Sequence, residues 1–166
     1  MVTVDASPSE PGQSRPPSWW EAVAALGASE RLAALGCVVS AGSTLLPWYK
    51  APVGGLVKTG MGAFGFAIAA LLLTSGAALA LLIQAGRGRR PPLPLHEGTL
   101  LAVAGGWTAV IVVYLMLDRP QFTLAGFDQT YSLAYGVFVA LGGAALMIVA
   151  GLRLRRTEIS GEGRLN

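Results

Sequence analysis

Charge is scarce in this 166-residue chain. Asp, Glu, Lys and Arg make up 13% of it, against about 25% in an ordinary soluble domain. A soluble fold of this size also has too little interior for a chain whose residues are 53% hydrophobic. There is one cysteine, Cys37, which excludes an intrachain disulfide. The one histidine, His96, excludes a Cys/His metal cluster built from this chain alone. No Asp, Glu, Lys, Arg or His lies inside a long apolar run. A charge held at mid-bilayer costs at least about 2.5–3.5 kcal/mol and marks proton relays, ion sites or voltage sensors. None of these has support here, and neither does a Ser/His/Asp triad, whose members would lie on opposite sides of a membrane. The sequence implies no enzyme, no cofactor and no metal site.

The apolar residues gather in four blocks of membrane-spanning length. Residues 1–17 are rich in Ser, Pro, Gly and acid and read as a disordered cytoplasmic tail. Ser18-Trp19-Trp20-Glu21 has capping-box spacing after a Pro pair, and its paired tryptophans suit a headgroup zone. Residues 18–29 are therefore expected to form an interfacial helix. The membrane domain, 30–156, carries spans expected at 32–48, 61–84, 99–117 and 133–152. Pro47-Trp48-Tyr49 closes the first with a helix stop and two interfacial aromatics. The acidic tail ahead of that block, and its run of apolar residues past Ala41, read as a span and not a cleaved signal. Residues 157–166 form a second cytoplasmic tail.

Basic residues set the orientation. Nine arginines (Arg15, Arg31, Arg87, Arg89, Arg90, Arg153, Arg155, Arg156 and Arg164) fall on one side, and only Lys50, Lys58 and Arg119 on the other. The richer side belongs in the cytoplasm. The expectation is an all-α, four-helix transmembrane bundle in the plasma (inner) membrane, with both termini inside. The positive charge lies at span ends and not in a stripe, so nucleic acid is not an expected partner.

Three groups of residues are candidates for function. Trp48, Tyr49, Asp118, Arg119, Asp128 and Tyr131 gather at the outer rim, where Asp118 and Arg119 are expected to pair across the hairpins. Gly136, Ala140 and Ala144 form a small-residue ladder in the fourth span, a packing face or a docking face for a partner. Shorter ladders, such as Gly36, Ser40 and Thr44, recur in the other spans. Arg87, Arg89, Arg90, Arg153, Arg155 and Arg156 make a basic inner rim suited to lipid head groups. Pro91-Pro92-Leu93-Pro94 has polyproline character but reads as a connector. The expected partners are membrane lipid and other membrane-protein subunits.

Three segments carry a resemblance: Leu46-Pro47-Trp48-Tyr49 closing the first span, Tyr114-Leu115-Met116-Leu117-Asp118-Arg119-Pro120 closing the third, and Tyr135-Gly136-Val137-Phe138-Val139-Ala140-Leu141-Gly142-Gly143 opening the fourth. Together they resemble small four-span membrane proteins of high-GC Gram-positive bacteria, mostly uncharacterised. The resemblance covers residues 30–156 and implies a four-helix membrane fold with no assigned activity. The topology is also similar to that of claudin-like proteins, whose paired outer-loop cysteines are missing here. The expected function is a non-enzymatic accessory or scaffold subunit of a membrane complex. A small oligomeric transporter or channel, lined by Ser40, Ser43, Thr44, Thr74, Ser75 and Thr108, is the first alternative; a lipid-binding protein with a groove between its hairpins is the second.

Overall fold

The computed structural model describes residues 18–51, 55–63, 65–87, 96–119, 121–124 and 127–162. The tail expected at 1–17 and the proline-rich connector lie outside them. The protein is mostly helical, and three of its helices are long and apolar enough to cross a membrane: Gly65–Gly86, Glu97–Leu117 and Tyr135–Thr157.

A short helix, α1 (Trp19–Ala25), comes first. The Glu21 carboxylate accepts a hydrogen bond from the Ser18 N–H at 2.7 Å, so the carboxylate half of the expected capping box forms. The same device starts α2 (Ala28–Ser43), where Glu30 accepts from the Gly27 N–H at 2.7 Å. Arg31 then reaches back to the Ala24 carbonyl at 2.8 Å, satisfying an acceptor that the end of α1 leaves open.

The first apolar block does not stay helical to Trp48. α2 stops at Ser43, and residues 47–50 form a strand, β1 (Pro47–Lys50). Pro47 cannot continue the ladder, and it pushes the residue before it away from helical geometry. Ser43 and Thr44 add their own stop, bonding back to the carbonyls of Ser40 and Ala41 at 2.6 and 2.7 Å. At 16 residues α2 is about 24 Å long.

The chain continues through β2 (Val57–Thr59) and a turn of helix, α3 (Gly60–Ala63), into α4 (Gly65–Gly86). After it come α5 (Glu97–Leu117), then strands β3 (Gln121–Leu124), β4 (Phe127–Thr130) and β5 (Ser132–Leu133), and α6 (Tyr135–Glu162). The last helix runs ten residues past the expected end of its span and takes in part of the segment expected to be a loose tail. Its apolar stretch simply passes into a polar helical extension rich in arginine.

The connections between α2 and α4 and between α5 and α6 were expected to be plain loops. They are strands instead. β1 pairs antiparallel with β2 on one edge and with β5 on the other, so one three-stranded sheet, ordered β2-β1-β5, draws on both connections. β3 and β4 form a separate two-stranded ribbon.

Helix α6 packs closely against both α2 and α5, and α4 closes the ring against the other sides of those two helices more loosely. The tight contacts are made by missing side chains. A Cβ on Gly36 would lie 2.8 Å from the Gly143 carbonyl, and one on Gly98 would lie 2.5 Å from the Arg155 amide nitrogen. Such backbone approach is what holds helices together in lipid, where apolar surface alone supplies no drive. Two core clusters result. One centres on Trp48, Tyr49, Leu71, Leu115 and Val137 under the sheet. The other joins Cys37, Leu82, Leu101 and Met147 toward the arginine-rich end.

Candidate functional site

The end of the molecule that carries the sheet is organised by two adjacent aromatics. Helix termini leave carbonyls without intrahelical partners, and near a bilayer such acceptors are costly. At the end of α2 every one is supplied. Thr44 N–H donates to Ala41, Leu45 N–H to Gly42 and Leu46 N–H to Ser43, and Met61 N–H donates to Thr44. The Trp48 indole N–H adds a second bond to the Ser43 carbonyl at 2.6 Å. Tyr49, next in the chain, serves the other hairpin: its hydroxyl donates to the Leu115 carbonyl, in the last turn of α5, at 2.5 Å. Adjacent strand residues face opposite sides. A bulge in the β1–β2 pairing between Pro47 and Tyr49 adjusts the aim of both rings. Neither ring is exposed to any extent.

Gly136 makes room for this arrangement. A Cβ there would lie 2.6 Å from both the Pro47 carbonyl and the Trp48 ring. The Trp48 carbonyl in turn accepts from the Ala134 N–H at 2.8 Å, so the start of α6 is tied to β1. Gly136, Ala140 and Ala144 are all buried inside the molecule. The ladder offered as a partner face therefore has no free surface of its own.

The remaining rim residues divide. Tyr131 is buried, with the Lys58 ammonium 5.1 Å from its ring centroid, within cation–π range. This pair joins the two connections and was not foreseen, because neither residue belongs to a recognisable motif. Asp118 and Arg119 do not form the expected bridge across the hairpins. Asp118 accepts from the Tyr114 hydroxyl at 3.0 Å and Arg119 donates to the Met116 carbonyl at 3.2 Å, both within their own helix end. Each finds a partner of the right kind within its own helix end, Asp118 a hydroxyl donor and Arg119 a carbonyl acceptor. Asp128 lies on β4 opposite Thr123, and its side chain is outside the described set. Burial, and secondarily the Asp118 carboxylate, push the Tyr49 hydroxyl up to about 12, with Arg119 opposing.

At the other end, Arg87 follows α4 and is exposed, as are Arg153, Arg155 and Arg156 on α6. Arg89 and Arg90 lie outside the described residues. The six hydroxyls offered as a lumen do not line one. Ser43, Thr44, Thr74 and Thr108 each bond a carbonyl three or four residues back on their own helix. Ser40 and Ser75 are buried without a hydrogen-bond partner.

Loose packing of α4 opens two clefts toward the surrounding medium. One, of about 450 Å³, lies between α2 and α4 and includes Cys37, Gly76 and Leu79. The other, of about 380 Å³, lies between α4 and α5 and runs from Thr74 and Trp107 down to Ala85 and Glu97. Its walls are mostly alanine and leucine, and Glu97 is the one charged residue lining it among the described residues. No sequence motif announces such a cleft, because it arises from which helix packs least well. No protein-family model, curated protein or solved structure matches the chain.

Proposed function

We propose that this chain is a non-enzymatic, four-span plasma-membrane protein with both termini in the cytoplasm, acting as an accessory or scaffold subunit of a membrane complex. One observation carries the reading: strands from both connections join in a single sheet, seated on Trp48 and Tyr49. A sheet supported in this way offers a partner a surface already in its final shape. The separate β3–β4 ribbon has unpaired edges, the kind of feature to which another chain adds a strand. Meanwhile most of the hydroxyls that would serve transport are spent on the backbone.

The fourth span in this reading is α2. It is short for a crossing, but it packs on α6 where Gly36 meets Gly143, and its C-terminal cap is tied to α3 by the Met61–Thr44 hydrogen bond. A mismatch of a few ångströms is accommodated by local thinning of the bilayer at modest cost. Orientation rests on the arginine bias. The interfacial position of α1 is supported by its packing against α4 with Trp20 and Val23 left exposed.

The test is capture of the chain from membranes in mild detergent, followed by identification of co-purifying proteins. A reproducible integral-membrane partner, lost when the β3–β4 ribbon is replaced by a Gly/Ser link, is the expected result. A chain that purifies alone under every mild condition overturns the proposal.

A further inference from the structure

The cleft between α4 and α5 has the dimensions of half a membrane. Along α4 it extends from Thr74 to Ala85 and along α5 from Glu97 to Trp107, which at 1.5 Å per residue is about 17 and about 15 Å. One leaflet of a hydrocarbon core of about 30 Å is about 15 Å deep. The volume, about 380 Å³, falls in the range of sites that hold a small organic ligand. Most of the lining is apolar; Thr74, whose hydroxyl donates to the Ala70 carbonyl, and the Trp107 indole are the polar groups at its far end.

Among the described residues, charge appears at one mouth, and there both signs are present. Glu97, half-buried in the first turn of α5, is part of the lining. Arg87 stands exposed two residues beyond Ala85 on the opposite wall. Arg155 of α6 lies beside the same end of α5, its backbone packed on Gly98. The amides that begin a helix of 21 residues add partial positive charge at that spot. A chain-length apolar slot with a phosphate-attracting rim and one carboxylate describes a complement for a phospholipid whose head group is itself zwitterionic.

We propose that this cleft binds one acyl chain of a phosphatidylethanolamine-type lipid from the arginine-side leaflet. Its phosphate meets Arg87 and the start of α5, and its primary ammonium donates to the Glu97 carboxylate. A carboxylate selects a primary ammonium over a choline group because the latter has no N–H to donate. It also disfavours a head group whose only charge is negative. This site lies at the opposite end of the molecule from the sheet on which the scaffold reading rests, and the two stand or fall separately.

The experiment is native mass spectrometry of the intact protein after exchange into vesicles of phosphatidylethanolamine, phosphatidylglycerol and phosphatidylcholine in equal parts. The wild type is expected to retain one phosphatidylethanolamine in preference to either competitor by about tenfold, the discrimination available from one charge-assisted hydrogen bond. E97Q is expected to bind lipid with that preference gone. R87Q is expected to weaken retention of all three. A77F, which fills the cleft, is expected to abolish retention, whereas G76F, which fills the cleft between α2 and α4, is expected to leave it intact. Thermal melting of each variant separates loss of the site from loss of the fold. Equal retention of the three lipids by the wild type overturns the proposal, as does an unchanged preference in E97Q or retention by a folded A77F protein.

Discussion

The hydroxyl of Tyr49 and the carbonyl of Leu115, 66 residues apart in the chain, meet at 2.5 Å in the buried layer beneath the sheet. Through that bond a residue of the first connection completes the last turn of a helix in the second hairpin. Removing only the oxygen, in Y49F, leaves the Leu115 carbonyl without its side-chain donor. A loss of about 1–2 kcal/mol is expected, read as a lower midpoint of thermal unfolding in detergent, with the helix content at low temperature unchanged.

The same hydroxyl makes stability sensitive to alkali. Its pKa in the folded protein is raised from 10.0 to about 12, chiefly by burial. A group whose folded pKa is raised stabilises the fold fully below its unfolded pKa and loses that contribution as pH rises through the folded value. The unfolding midpoint is therefore expected to fall between about pH 10 and 12. The fall should be shallower in Y49F than in the wild type when the two are melted side by side.

Trp48 is expected to show a graded response. W48F retains most of the ring but loses the donor to Ser43, at a cost of about 1 kcal/mol. W48A also empties a fully buried volume beside Gly60 and Gly136, and a loss of about 3–5 kcal/mol is expected. Denaturation in increasing SDS at fixed detergent total would rank the three proteins.

Close helix contact predicts intolerance at glycines that look ordinary in sequence. In G98A and G151A the new methyl group would meet backbone atoms at 2.5–2.6 Å. Since neither neighbour can rotate away, each should cost about 2–3 kcal/mol. G76A has open space around it and serves as the matched control. Equal melting of G98A and G76A would contradict the packing described between α5 and α6.

The pairing of β1 with β5 can be read chemically. Lys50 and Ser132 are directly opposite, so K50C/S132C on a C37A background should oxidise to an intramolecular disulfide. Either single variant should not. The exposed K50C thiol should also react with an impermeant maleimide in intact cells, and R153C should react only after permeabilisation, if the arginine-rich end is cytoplasmic.

The long apolar helices were legible in the sequence because each is a run of residues that water excludes, ended by arginine, proline or glycine. Glu97–Leu117 differs from expectation by two residues at one end and Gly65–Gly86 by four and two, whereas α6 runs ten residues past its expected end. The first block misled because Leu45, Leu46 and Trp48 are as apolar as any span residue, yet they follow a local stop made by Ser43, Thr44 and Pro47. Hydropathy does not distinguish an aromatic buried in a cap from one buried in a bilayer. The sheet was hidden because each of its strands is two to four residues long and one of its two pairings, β1 with β5, reaches across to the other connection. Of the rim residues singled out, Trp48, Tyr49 and Tyr131 do meet in one core cluster. Asp118 and Arg119 do not join them, because charge alone does not reveal that a hydroxyl donor and a carbonyl acceptor stand within their own helix end. The α4–α5 cleft depends on packing differences among four similar helices, and no local pattern encodes that.

Strand β1 has one edge that only β5 can cover, and β5 immediately precedes the final helix. While the chain is being made, that edge stays bare until Ser132 and Leu133 have been added. A C-terminally shortened product lacking β5 would thus display an open strand edge, the kind of edge to which another chain can add.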